Sequence, residues 1–170
     1  FRYSSNYQPT NWNSVNFTSG DGMENGYLKI NGKTNLNKNI WQEVFINKPA
    51  NNIAFVVSSK SIGKSVPINK SERHYAIDVK ICFTDKTYQL ATIPFNPDTT
   101  GEQYTSGPIK ANKDNRGKTI SKLVYHVAYD KNANDAKFKF LQMNMDETGS
   151  SYVYDEKTGK IVSSEQNAKN

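Results

Sequence analysis

A single cysteine, Cys82, stands in 170 residues, so no disulfide can brace this chain internally. Histidine is nearly absent too: His74 and His126 lie far apart, with no cysteine or carboxylate beside either at a metal-site spacing. Arg2, Arg73 and Arg116 are the only arginines among 22 basic residues, whereas recognition of phosphates and bases favours arginine. The net charge of +6 is interleaved with acids, as in Lys70-Ser71-Glu72-Arg73, rather than gathered in a stripe. That pattern predicts a solvated surface and argues against nucleic acid. No apolar run is long enough to cross a membrane. No stretch of ten or more residues repeats its apolar positions at 3.6, which argues against a helical protein. Nucleophile elbows, glycine-rich phosphate loops and His-Glu-x-x-His patterns are missing as well. Glu43 and Asp78 could supply paired carboxylates for glycoside cleavage, but nothing in their spacing supports it. An enzyme is not expected.

What is abundant points to strands. Ten Tyr, eight Phe and 21 Asn accompany many Thr and Ser, a composition of strands and turns. Residues 75–83 alternate strictly: Tyr75, Ile77, Val79, Ile81 and Phe83 point one way, and Ala76, Asp78, Lys80 and Cys82 the other. Thr84-Asp85-Lys86 makes a polar turn into 87–94, predicting a hairpin whose Tyr88, Leu90 and Ile93 meet the apolar face of the first strand.

Further strands are expected around this hairpin. One short strand falls near Trp12, Val15 and Phe17, with Trp12 as a core anchor. Residues 27–31 end at Asn31-Gly32, a type I′ hairpin signal. Strands follow at 40–46 and 53–59, then a loop over 60–73. Past the 96–101 loop, 103–109 forms a strand. Residues 119–129 share a face through Leu123, Tyr125, Val127 and Tyr129, and 136–145 return as their hairpin partner after a turn at 130–135. About eight short strands at regular spacing predict an all-β, two-sheet antiparallel sandwich. The chain opens on Phe1 with no signal peptide, so it is expected to be a piece of something larger. The domain is expected over 1–149, with 150–170 a linker or the start of the next unit.

An aromatic–polar surface is the candidate site. With Ile40, Val44 and Ile46 lining the core, Trp41, Glu43 and Phe45 face outward, as do Asp78 and Lys80, then Val124 and His126. Aromatic faces stack on pyranose rings while amides and carboxylates bond hydroxyls. Tyr104, beside Gln103, is expected to frame that site from a loop. The plainer alternatives are that Trp41 packs under a loop and that His126 is an ordinary strand residue. Asp130-x-Asn132-x-Asn134 has oxygens at the first, third and fifth positions of a calcium loop. Position six is Asp135 rather than Gly and position twelve is Leu141, so a plain turn is expected.

Several phrases carry a resemblance: Gln42-x-Val44, Phe83-Thr84-Asp85, Phe95-Asn96-Pro97-Asp98-Thr99-Thr100, and Ser151-Tyr152-Val153-Tyr154-Asp155. In this order they resemble the carbohydrate-binding-type module that lies upstream of RHS/YD repeats in large bacterial cell-surface proteins, over residues 12–162. The C-terminal YDEKTGKIVSS resembles a first YD-repeat unit. The resemblance implies a jelly-roll β-sandwich, a non-catalytic role on a polysaccharide or cell-surface glycan, and a secreted or wall-associated parent with a downstream repeat domain. The alternative is a structural spacer or protein-interaction domain without sugar binding. Members of that family carry Phe-Asp-Asp-x-x-Leu in the final hairpin strand, whose first Asp holds a structural calcium. Here Lys139 or Leu141 stands in that place, and a lysine ammonium there would occupy the cation's position. The resemblance therefore does not carry its calcium over, and no cofactor is expected.

Overall fold

The structure is a computed structural model that describes residues 11–24, 27–50, 54–63, 74–95, 101–145, 150–155 and 157–164. Period-2 patterning becomes strand throughout, and the described residues contain one 3₁₀ turn, Lys113–Asn115, as their only helical element. In chain order the strands are β1 (Asn13–Val15), β2 (Gly22–Glu24), β3 (Tyr27–Ile30), β4 (Asn37–Pro49), β5 (Ala54–Gly63) and β6 (His74–Phe83). They continue as β7 (Tyr88–Pro94), β8 (Gly101–Lys110), β9 (Thr119–Asp130), β10 (Ala136–Met145), β11 (Ser150–Asp155) and β12 (Lys160–Ser164).

One sheet has five strands in the order β1-β4-β9-β6-β7. The other has seven. Within it β10 pairs with β5 along its whole length, while its opposite edge is shared between β3 and then β11. The register of β10 shifts between Phe140 and Gln142, where that edge changes partner, as a bulge permits. All pairings are antiparallel.

The inward rows meet between the sheets. Ile77, Val79, Leu123 and Val127 are fully buried, as are Leu28 and Ile30. Tyr125 of β9 meets Phe140 of β10 edge-on at 4.9 Å, and Phe95 meets Phe138 at 5.5 Å. Such contacts add about 0.5–1.5 kcal/mol to the burial of each pair. Trp12 is buried against Tyr125 at 6.1 Å, in the anchoring place expected of it. Val15 is exposed instead.

Three expectations change. Asn31-Gly32 does not close a hairpin, because β3 belongs to the seven-stranded sheet and β4 to the five-stranded one. The segment crosses the sandwich, and Gly32 is needed for close approach. A Cβ there would lie 2.5 Å from the carbonyl oxygens of Asn132 and Asn134. Secondly, β10 is not the hairpin partner of β9. Residues 131–135 form the second crossing, tied to the first by Lys131 N–H donating to the Leu36 carbonyl at 2.8 Å and Gly32 N–H to Asp135 at 3.1 Å. Thirdly, Tyr88 and Leu90 face away from the core, since β7 pairs them with Cys82 and Lys80; Ile93, opposite Ile77, is buried as expected.

Strand β5 extends to Gly63, beyond the expected 53–59, and residues 64–73 and 96–100 lie outside those described. The 150–164 stretch, read as a linker or the start of another unit, adds β11 and β12 to the seven-stranded sheet and places Tyr152 and Ile161 in the core.

Lys38 shares its parity along β4 with Ile40 and Val44, so its side chain enters the interior. Its ammonium donates to Asp21 at 2.7 Å, with side-chain exposures of 1% and 0%. Asp21 also accepts the backbone N–H groups of Thr18 and Asn31, each at 2.7 Å, which ties the loop before β2 to the end of β3. Removing one member of a buried pair strands the other's charge. Lys38→Met is expected to lower stability in urea denaturation by about 3–5 kcal/mol. Adding Asp21→Asn should return most of that loss; a single-variant loss under about 1 kcal/mol would contradict the pairing.

Candidate functional site

The register gathers the expected outward residues into rows. Trp41 lies opposite His126, His126 opposite Asp78, and Asp78 opposite Thr92. Next come Glu43, Val124, Lys80 and Leu90, then Phe45, Lys122, Cys82 and Tyr88. Residues directly opposite in an antiparallel pair share a face, and the neighbours Ile40, Val44, Ile77, Val79, Leu123 and Val127 are buried beneath. Trp41, Glu43, Phe45, Asp78, Lys80 and His126 therefore share the outer face of the five-stranded sheet. Tyr104 does not join them. Its backbone is in β8 of the other sheet, opposite Lys60, not in a loop, and its side chain lies outside the described residues.

Polar groups on this face are held by one another. Lys122 donates to Glu43 at 2.7 Å, and the Thr92 hydroxyl donates to Asp78 at 2.7 Å. The Lys80 ammonium lies 4.1 Å from the centre of the Tyr88 ring. Trp41 and His126 meet edge-on, 5.8 Å apart at 86°, an arrangement that orients the indole. Trp41 is itself half-buried.

Tyr88, Leu90, Thr92 and Lys122 are members that sequence reasoning missed. Phe45, Tyr88 and Leu90 are 73%, 58% and 61% exposed, large apolar groups left in solvent. Phe45 and Tyr88 end the same row three strand spacings apart, roughly 14 Å. A signal for Tyr88 existed in the turn. A three-residue loop over 84–86 pairs Phe83 with Thr87, whose carbonyl accepts the Phe83 N–H at 2.9 Å. That puts Tyr88 opposite Cys82, hence outward. Lys86, at φ 69°, takes the left-handed position that such loops require, and Asp85 accepts the Thr87 N–H at 2.9 Å.

The face ends in a cleft at its β4 edge. Strand β1 covers only Asn39–Trp41 of β4; beyond it an open cleft of about 460 Å³ is lined by Asn13, Glu43, Phe45, Lys160 and Ser163 among others. Buried Gln42 forms its floor. Its amide nitrogen donates to the carbonyls of Asn11 and Gly159, both at 2.9 Å, and its oxygen accepts the Ile161 N–H. One carboxamide thus staples the β11–β12 turn region to β4.

The strand in which the resembled family holds calcium is β10. Phe138 and Phe140 are buried, and the Lys139 ammonium lies 5.8 Å from the Tyr27 ring. The ammonium that does lie against a buried carboxylate is Lys38 on Asp21. In the 130–135 turn, the Asp130 carboxylate accepts Asn39 Nδ2 at 3.0 Å, and the Asn132 amide donates to the Asp130 carbonyl at 2.9 Å.

No family model matches the chain, and no curated protein matches it in sequence. Solved structures match its shape. The CBM22-1–GH10 modules of Clostridium thermocellum N-terminal endo-1,4-β-D-xylanase 10B, complexed with xylohexaose, match with a TM-score of 0.51 at 9% identity, over 82% of this chain and 27% of that one. The fold is a jelly-roll β-sandwich. The CBM22-1 xylan-binding domain of Paenibacillus barcinonensis Xyn10C matches with a TM-score of 0.48 at 11% identity, over 81% of this chain and 87% of that one. This chain spans about a quarter of the xylanase structure's length. Among the described residues no helix is long and apolar enough to cross a membrane.

Burial holds the His126 imidazole below its ordinary pKa of 6.5, against the raising effect of Asp78 and with a smaller lowering from Lys80. The unfolded chain consequently binds a proton at this site more readily than the fold does. The stability contributed by neutral His126 is complete above pH 6.5 and lost as pH falls toward the folded-state value. Thermal melts of His126→Gln are expected to lose less stability than wild type between about pH 7 and pH 5; parallel curves would disprove this.

Proposed function

We propose that this protein is a non-catalytic carbohydrate-binding module. It holds a polysaccharide or cell-surface glycan on the outer face of the five-stranded sheet. The observation that carries the reading is the joining of Trp41, Phe45 and Tyr88 with Glu43, Lys122, Asp78 and Thr92 on one surface. Apolar sugar faces pack on exposed rings, while hydroxyls, which both donate and accept, suit a surface of paired charges. Because those charges already have partners, an uncharged glycan fits better than an ionic one. The roughly 14 Å between Phe45 and Tyr88 suits a chain laid across the strands over several units.

The resemblance of the sequence to modules upstream of RHS/YD repeats supports an extracellular, wall-associated or secreted parent with a repeat domain downstream. No metal takes part in this reading. A second reading, a structural spacer or protein-interaction domain, draws on the same pairing, since Glu43–Lys122 and Asp78–Thr92 leave the face satisfied without a ligand.

Titration of intrinsic tryptophan fluorescence separates the two. Xylan is the first probe, because the fold is similar to that of a chain solved with xylohexaose; bacterial-wall and host glycans follow. A saturable shift, abolished by Trp41→Ala and weakened about tenfold by Tyr88→Ala, is the expected result. Silence with every glycan would support the spacer. Wild-type glycoside turnover that Glu43→Gln removes would overturn the non-catalytic assignment. Chelator is expected to leave both the melting temperature and the fluorescence shift unchanged; a fall in either would restore a metal.

A further inference from the structure

The row that crosses the outer face from Tyr88 through Cys82 and Lys122 ends at Phe45, and Phe45 also lines the cleft at the β4 edge. Glu43 belongs to both surfaces as well. Two sheet edges border the cleft. Among the described residues β12 pairs with β11 alone, and β4 beyond Trp41 pairs with β9 alone. Each edge presents backbone N–H and C=O groups on its open side. Gln42, Val44, Tyr152 and Ile161 are buried beneath, and Asn13 of β1, opposite Trp41, bounds one end. The volume of about 460 Å³ lies within the roughly 300–1,000 Å³ that small-molecule sites occupy. Closed below and at one end, the cleft suits the last sugar unit of a chain rather than a chain passing through.

Its charged lining residues are Glu43 and Lys160. Glu43 is neutralised by Lys122 at 2.7 Å. Lys160 is exposed, and among the described residues no ion pair reaches it. Asp155 lies directly opposite on β11, but its carboxylate accepts the backbone N–H groups of Lys157 and Thr158, at 2.8 and 3.4 Å. The cleft therefore joins an exposed ring to a net positive charge.

We infer that the cleft receives a terminal uronic acid of the glycan whose backbone lies on the aromatic face, an inference that rests on the glycan-binding reading above. A lysine ammonium is a compact point charge that matches the single carboxylate of such a sugar, and a charge-assisted bond is stronger than a neutral one. Phe45 offers a ring to the apolar side of the sugar, while the Asn13 amide, the Ser163 hydroxyl and the sheet-edge groups serve its hydroxyls. On the sheet face the charges are already paired, which suits an uncharged backbone. Acid is selected only where the row runs out, at Lys160.

Titration of the full chain with sodium glucuronate and with sodium galacturonate, followed by amide NMR, tests it. At least one of the two is expected to give saturable shifts at Phe45, Lys160 and Ser163, with a dissociation constant on the order of millimolar. Glucose lacks the carboxylate and acetate lacks the ring, so each should bind at least about tenfold more weakly. Lys160→Gln is expected to reduce the uronate to the level of glucose, and Lys160→Arg to keep most of the preference. Lys160 is exposed, so the melting temperature of either variant should match wild type. Trp41→Ala should leave the cleft response intact, so failure of the aromatic face and failure of the cleft are read separately. Absence of shifts with both uronates at about 50 mM, equal shifts with glucose or acetate, or undiminished uronate binding by Lys160→Gln would each overturn the assignment.

Discussion

Strand β9 is the constraint on which the structure depends. It lies between β4 and β6 and pairs with both along nearly its whole length. Leu123, Tyr125, Val127 and Tyr129 thereby join the inward rows of both neighbours, and Val124 and His126 join the outward ones. With a side-chain period of two, a slip of one residue would send the first set into solvent. The core opposes such a slip through Tyr125–Phe140 and the burial of its apolar neighbours. The same register that builds the core sets Trp41, His126 and Asp78 side by side. Core and surface site are two readouts of one pairing.

Polar devices then fix how the sheets are joined. The crossings at 31–36 and 131–135 pass so closely that Gly32 admits no Cβ. Lys38 and Asp21 satisfy each other's charge in the interior and bind the N-terminal loop to β4, while Gln42 holds the β11–β12 turn from the opposite edge. Such groups confer geometry more than net stability, since desolvation offsets much of their attraction. Here they tie loops that apolar packing alone would leave loosely placed.

Much of this was legible in the residues. Alternation in 75–83 and 119–129 identified long strands and their buried sides, and the parity of Trp41, Glu43 and Phe45 placed them outward. Lys38 carried a signal as well, occupying the inward row of β4, although nothing local named Asp21 as its partner. The outward turn of Tyr88 was encoded in the length of the 84–86 loop but masked by the apolar character of Tyr88 and Leu90. The error at 130–136 had another cause. A polar turn between two apolar strands reads as a hairpin whether the chain folds back within a sheet or crosses to the facing one. Tyr104 was misplaced for the related reason that its strand belongs to the other layer.

By itself, then, the sequence determined the fold class, the long strands, and the buried side of those that alternate cleanly, because these follow from a local period of two. Tertiary structure alone decided which strands became neighbours. That choice depends on contacts between residues a hundred positions apart, such as Gly32 with the 132–135 segment, whose energies no local pattern records. It brought Tyr88 into line with Phe45 and carried Tyr104 away.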